Sequence, residues 1–134
     1  MRALVVDDSM TMRMMLTHLL RSHGFQVQEA ADGAQAMQAL VQGPVPDLVT
    51  LDWNMPVMGG GATLDAIRQN KAFDGIKILV ISSETDQERV ADALSCGTDE
   101  YLMKPFSPEA IFEKIEMLGL NTEAVSPGSQ RSES

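Results

Sequence analysis

A small set of polar residues follows directly on apolar stretches, at positions where parallel strands would end. Ala3 to Val6 runs into Asp7 and Asp8, Leu48 to Leu51 into Asp52, and Ile78 to Ile81 into Ser82 and Ser83. A weaker stretch, Asp99 to Met103, runs into Lys104-Pro105. In an open parallel α/β sheet, ligands bind beyond the carboxyl ends of the strands, so these residues would converge. Three carboxylates gathered there repel one another and persist together only when a cation or a buried base compensates. An all-oxygen set without His or Cys suits a hard ion. Mg2+ fits best, because it accepts one or two carboxylates, keeps several waters and bridges to a phosphate. Lys104 adds a point charge, and Ser82 a hydroxyl able to donate to a phosphoryl oxygen.

Each residue also has a plainer reading. Adjacent aspartates after a strand can be a solvated turn, and Ser82 or Ser83 can cap a following helix. A single lysine is ordinarily a surface residue, and Asp52 alone can be a loop acid. The functional reading rests on all four features meeting at one sheet edge.

The elements that would bring them there are regular. The runs Ala3 to Val6, Leu48 to Leu51 and Ile78 to Ile81 predict strands buried on both faces. Phe25 to Ala30 and Asp99 to Met103 alternate polar and apolar residues, as strands at the sheet edges do. Met12, Met15, Leu16, Leu19 and Leu20 follow a possible cap at Ser9 and predict an amphipathic helix with Gly24 just past its end. Further helical stripes lie at Ala36, Met37, Leu40 and Val41, at Leu64 and Ile67, at Val90 and Leu94, and at Ile111, Phe112, Ile115 and Leu118. Asp32 with Gly33 reads as turn chemistry after the second strand. Strict strand–helix alternation, five times over, argues for a parallel sheet covered by helices on both sides.

Composition narrows the classes. The chain has 134 residues, 44% of them hydrophobic, enough for one substantial core. With 19 acidic against 10 basic residues the net charge is −9, which opposes binding to nucleic acid or to anionic membrane. Cys96 is the single cysteine, so neither an internal disulfide nor a multi-cysteine metal site is expected. Met1-Arg2 leads straight into the first strand without a signal-peptide core, and no apolar run approaches a membrane span. A cytoplasmic location is the expectation. The ten methionines, four of them in the first helix, read as core filler. Residues 1–119 are read as one domain and 120–134, rich in serine and holding Pro127-Gly128, as a disordered tail.

Taken in order, Leu4-Val5-Val6-Asp7-Asp8, Asp52-Trp53-Asn54-Met55-Pro56, Ser82, Tyr101 and Lys104-Pro105-Phe106 resemble the bacterial two-component response-regulator receiver domains, specifically the single-domain chemotaxis type. The resemblance covers about residues 2 to 119. It implies an α/β, flavodoxin-like (βα)5 doubly wound fold whose five-stranded parallel sheet has the order 2-1-3-4-5. It implies that Asp52 is the phosphoacceptor, taking a phosphoryl group from a histidine kinase or a small acyl phosphate. Asp8, Asp52 and the backbone carbonyl of Asn54 would ligate Mg2+, with Asp7 holding a metal-bound water. Lys104 would pair with the phosphate. Ser82 and Tyr101 would form the switch, altering the face made by the fourth helix, fifth strand and fifth helix. Lys114 on the fifth helix is a candidate for that face, or a solvated lysine. Implied partners are the kinase and a protein target such as a flagellar motor switch component, acting on a monomer.

Asn54 and Glu84 resemble the pair that borders the hydrolytic water in members that lose their phosphoryl group quickly. Ser83 replaces the usual alanine or glycine and could narrow donor access. Gly59-Gly60 stands where Asp-Gly is common, with Gly61 following, so a loose start to the third helix is expected. Rival readings remain. The chain could be the receiver portion of a larger regulator or hybrid kinase in a pathway other than chemotaxis. An aspartate-nucleophile phosphatase would space its two aspartates by one residue, and a flavodoxin-like electron carrier would put an uncharged, hydroxyl-rich loop after the first strand.

Overall fold

The computed structural model describes residues 1–53, 55, 57–83 and 97–120. Among them are β1 (Arg2–Val6), α1 (Met10–Ser22), β2 (Gln26–Ala30), α2 (Gly33–Gln42), β3 (Leu48–Asp52), α3 (Gly60–Arg68), a short 3-10 turn (Lys71–Phe73), β4 (Lys77–Ser83), β5 (Glu100–Lys104) and α4 (Pro108–Met117). The strands form one parallel sheet in the order β2-β1-β3-β4-β5, so the two alternating stretches are the edges. The predicted stripe at Val90 and Leu94 lies outside the described residues, as do Cys96 and residues 121–134 of the expected tail. Leu120, read as the first residue of that tail, is instead buried and donates its amide to the Ile115 carbonyl at 3.2 Å. The stripe at Ile111 to Leu118 is α4. No described helix is long and apolar enough to cross a membrane.

Strand pleating divides the interior into two cores. Leu4, Val6, Val49, Leu51, Ile78 and Val80 pack with Ala36 and Leu40 of α2 and Leu64 and Ile67 of α3. Ala3, Val5, Leu48, Leu79, Ile81 and Leu102 pack with Leu16 and Leu20 of α1 and Ile111 and Ile115 of α4. Among the described helices, α1, α2 and α4 begin where the sequence supplies caps. The Ser9, Asp32 and Ser107 side chains accept from the backbone of Met12, Gln35 and Ala110. Asp32 is thus the cap of α2.

The methionines of α1 depart from expectation. Met12 is partly buried against the second core, but Met10, Met14 and Met15 are exposed, the first two by more than 60%. Leu16, Thr17 and Leu20 occupy the buried face and Met14 is turned away from it, while Met10 is exposed as the first residue of the helix although it shares the face of Thr17.

At the sheet edge away from the carboxyl ends, Arg68 closes the fold. Its guanidinium donates to the carbonyls of Gly97 at 2.8 Å, Ile76 at 3.0 Å and Phe73 at 3.3 Å, and pairs with Asp99 at 2.8 Å. The same Asp99 oxygen accepts from the Ile78 amide at 2.8 Å. Arg68→Ala is expected to lower stability by about 2 to 3 kcal/mol, because several carbonyls and a half-buried carboxylate lose a shared donor. Arg68→Lys should recover little, since an ammonium lacks the fork. Urea unfolding reads both, as a lower midpoint at unchanged slope.

Val57 carries a φ of +67°, a left-handed conformation unfavourable for a β-branched side chain, and it is 84% exposed. Val57→Asn removes no core contact and is expected to raise stability by about 1 kcal/mol in the same assay.

Candidate functional site

The sequence-predicted residues converge where β1, β3, β4 and β5 end. Asp52 is the last residue of β3, paired in register with Ile81, so Ser82 stands one step beyond it on the neighbouring strand. Ser83 pairs with Lys104, the last residue of β5. Asp7 and Asp8 follow β1 directly.

Carboxylate oxygens of Asp7, Asp8 and Asp52 lie within 4.8 Å of one another. Asp7 and Asp52 are buried and Asp8 is exposed, which leaves the cluster open to solvent on one side. Lys104 Nζ donates to Asp52 Oδ1 at 3.3 Å and lies 3.6 Å from Asp7 Oδ2. One ammonium therefore serves two buried carboxylates. Burial, with the charge of Asp7 beside it, pushes the Asp52 carboxyl up from 3.8 to about 7, against the opposing pull of Lys104. Asp7 Oδ2 is buried without a hydrogen-bond donor. An oxygen donor set with an unsatisfied buried carboxylate oxygen and a raised acid beside it fits a hard divalent cation.

Ser82 is buried, and its hydroxyl has no hydrogen-bond partner among the described residues. A hydroxyl so placed can donate to an acceptor at the strand end. Tyr101 is half-buried, packs against the first core and lies under Lys114, whose Nζ is 5.6 Å from the ring centroid. Lys114 also pairs with Glu100 at 2.9 Å, so it is held within the protein rather than simply solvated. Asn54 and Glu84 lie outside the described residues.

The start of α3 is tighter than its three glycines suggest. Gly60 lies so close to β3 that a Cβ there would stand 2.7 Å from Trp53 Cα and 2.8 Å from the Asp52 carbonyl. The Gly60 amide donates to Trp53 O at 3.0 Å, and the Thr63 hydroxyl donates to Gly59 O at 2.8 Å. Sequence reasoning did not single out Arg13, which donates to the Asp7 carbonyl at 2.7 Å, nor its partner Glu29. The available signal was a basic side chain one turn into the helix that follows an acidic strand end.

A family model described as the response regulator receiver domain matches residues 3–116. The chain belongs to that family. This receiver domain is 37% identical over 123 residues to the chemotaxis protein CheY1 of Helicobacter pylori, covering 90% of this chain and 99% of that one. It is 38% identical over 119 residues to the chemotaxis protein CheY of Pseudomonas aeruginosa, covering 88% and 95%. Among solved structures, the receiver domain is similar to Vibrio cholerae chemotaxis protein CheY4, with a TM-score of 0.81 at 32% identity, covering 87% of this chain and 97% of that one. The receiver domain of a signal transduction histidine kinase from Syntrophus aciditrophicus gives 0.80 at 27% identity, with coverage of 87% and 88%.

Proposed function

We propose that this receiver domain is a phosphoacceptor of a two-component relay, with Asp52 as the acceptor. The observation that carries the reading is a buried carboxylate at a strand end, ringed by Asp7, Asp8 and the Lys104 ammonium. An Asp52 oxygen attacks phosphorus, forming an O–P bond. The N–P bond of a kinase phosphohistidine breaks, and the histidine nitrogen leaves with the electron pair. Lys104 neutralises charge on the transferring group, and Ser82 donates its hydroxyl to a phosphoryl oxygen. Asp7, Asp8, Asp52 and the Asn54 carbonyl would hold Mg2+. When bound, the ion supplies charge neutralisation and orientation of the phosphoryl group. The domain catalyses only its own phosphorylation and dephosphorylation.

The output is a changed protein-binding face made by the helix read at Val90 and Leu94 together with β5 and α4, with Tyr101 coupled to Ser82. Likeness to chemotaxis proteins supports a role in chemotaxis or motility, with a histidine kinase upstream and a motor-switch-type protein downstream. A cytoplasmic, monomeric receiver over residues 1–119, followed by a tail, fits that role. Asn54 and Glu84 favour a short phosphoryl lifetime, and Ser83 tunes donor access. A phospho-form lasting many hours in Mg2+ would contradict the lifetime assignment. Similarity to the receiver of a histidine kinase supports a second reading, in which this domain serves a larger regulator.

Incubation with Mg2+ and acetyl phosphate tests the central reading. The expected result is an intact-mass gain of one phosphoryl group, mapped to Asp52 and accompanied by a change in Trp53 fluorescence. No mass gain, or a gain at another residue, overturns it.

A further inference from the structure

The end of β1 is held from several directions. The Asp7 amide donates to the Ala30 carbonyl at 3.1 Å, and Asp7 Oδ1 accepts from the Ser9 amide at 2.9 Å. Arg13 Nη1 donates to the Asp7 carbonyl at 2.7 Å. The oxygen left without a donor is Oδ2, the one that faces Lys104. Of the three holding bonds, only that from Arg13 comes from another residue's side chain. A guanidinium-to-carbonyl bond is charge-assisted and roughly twice as strong as a neutral one. Arg13 Nε also pairs with Glu29 Oε1 on β2 at 3.1 Å, and the arginine side chain is only 17% exposed.

We propose that Arg13 is a positioning residue for the acidic cluster, fixing the direction of Asp7 Oδ2 through the Asp7 carbonyl, while Glu29 cancels the charge that Arg13 would otherwise set beside a bound cation. The proposal rests on the cluster taking a divalent cation, as argued above. A bare guanidinium so close would act within the Debye length of about 10 Å at 0.1 M salt and weaken binding. The Arg13–Glu29 pair supplies the donor without the net charge.

Titration of Mg2+ into the full chain, followed by the fluorescence of Trp53, tests this in the absence of any phosphodonor. Arg13→Ala is expected to weaken Mg2+ binding roughly tenfold, the usual cost of losing a group that orients a metal ligand. Arg13→Lys keeps the charge but cannot serve Asp7 and Glu29 through a rigid fork, and should lose about threefold. Glu29→Gln should lose about twofold to threefold, and the loss should shrink as salt is raised. If Arg13→Lys and Glu29→Gln both bind Mg2+ as the unaltered chain does, the proposal is overturned, whether or not Arg13→Ala folds. An unaltered chain that binds no Mg2+ is a different result, since it removes the cation reading and the positioning role with it.

Discussion

Asp52→Asn is expected to abolish phosphoryl uptake and, in the same molecule, to make the metal-free protein more stable at neutral pH. The first effect follows from the proposed role of Asp52, within the acidic cluster, as the attacking group. The second follows from the carboxyl pushed up to about 7 by burial and by Asp7. In the unfolded chain the same group titrates near its ordinary value of 3.8. Between these values the folded state binds more protons than the unfolded one, so stability falls as pH rises. The contribution is fully present below about pH 4 and is lost once pH has passed through about 7. Asparagine has the same shape and no charge to bury. Its advantage at pH 8 should be on the order of 2 to 4 kcal/mol, shrinking to almost nothing at pH 4. Urea midpoints at the two pH values in a metal-free buffer measure it. Added Mg2+ should raise the stability of the unaltered chain at pH 8 and leave Asp52→Asn nearly unchanged. Equal stabilities of the two proteins at pH 8 would contradict the electrostatic account, even if phosphoryl uptake were lost.

Gly60→Ala is expected to damage stability and chemistry together. Its new methyl carbon would meet the Asp52 carbonyl and Trp53 Cα at under 3 Å, and both are backbone atoms that cannot rotate away. Overpacking of this kind costs about 1 to 3 kcal/mol. Relief can come only from moving β3 away from α3, which displaces Asp52 from its cluster. A shift of even a fraction of an ångström at the attacking group slows transfer, by roughly tenfold or more. Gly61→Ala is the matched control. There a methyl would rest 3.4 Å from the Trp53 ring, an ordinary contact. Alanine should then stabilise α3 by about 0.5 to 1 kcal/mol with the uptake rate preserved. The uptake of acetyl phosphate, timed by intact mass at a temperature where each variant is folded, separates the two. Equal rates for Gly60→Ala and the unaltered chain would contradict the close-approach argument.

The contrast between these glycines shows where the sequence is readable. β1, β3 and β4 are legible because Leu4, Val5, Val6, Leu48, Val49, Leu51 and Ile78 to Ile81 form apolar runs that only burial on both faces explains. Asp7, Asp8, Asp52 and Ser82 are legible because each stands where such a run ends, and Lys104 because it closes the weaker, alternating β5. β2 is harder to read, since Ala30 is the only buried residue within it. Side chains that reach across the fold leave no local trace. The Arg68 guanidinium serves Gly97 and Asp99, 29 and 31 residues away. Arg13 reads as part of a helix's polar face until the angle between β1 and α1 brings it over the Asp7 carbonyl. For Met10 and Met14, residue type suggests burial, but Met14 is turned from the buried face of α1 and Met10 stands exposed at the helix start. At Val57 residue type argues against the backbone conformation it adopts.

The pleating that separates the two cores also separates the site into halves. Leu102 packs on the face under α1 and α4, and alternation along β5 sends Lys104 to that face, as it sends Asp52 there along β3 from Leu48. Val80 and Tyr101 pack on the face under α2 and α3, and alternation sends Ser82 the same way. In the unmodified protein these layers are joined through the sheet's backbone. A phosphoryl group on Asp52, gripped by Lys104 from one side and Ser82 from the other, would rivet them together over the lip of the sheet. A load applied between the two layers, by pressure or by a pulling force, would then meet a fastener that dephosphorylation removes.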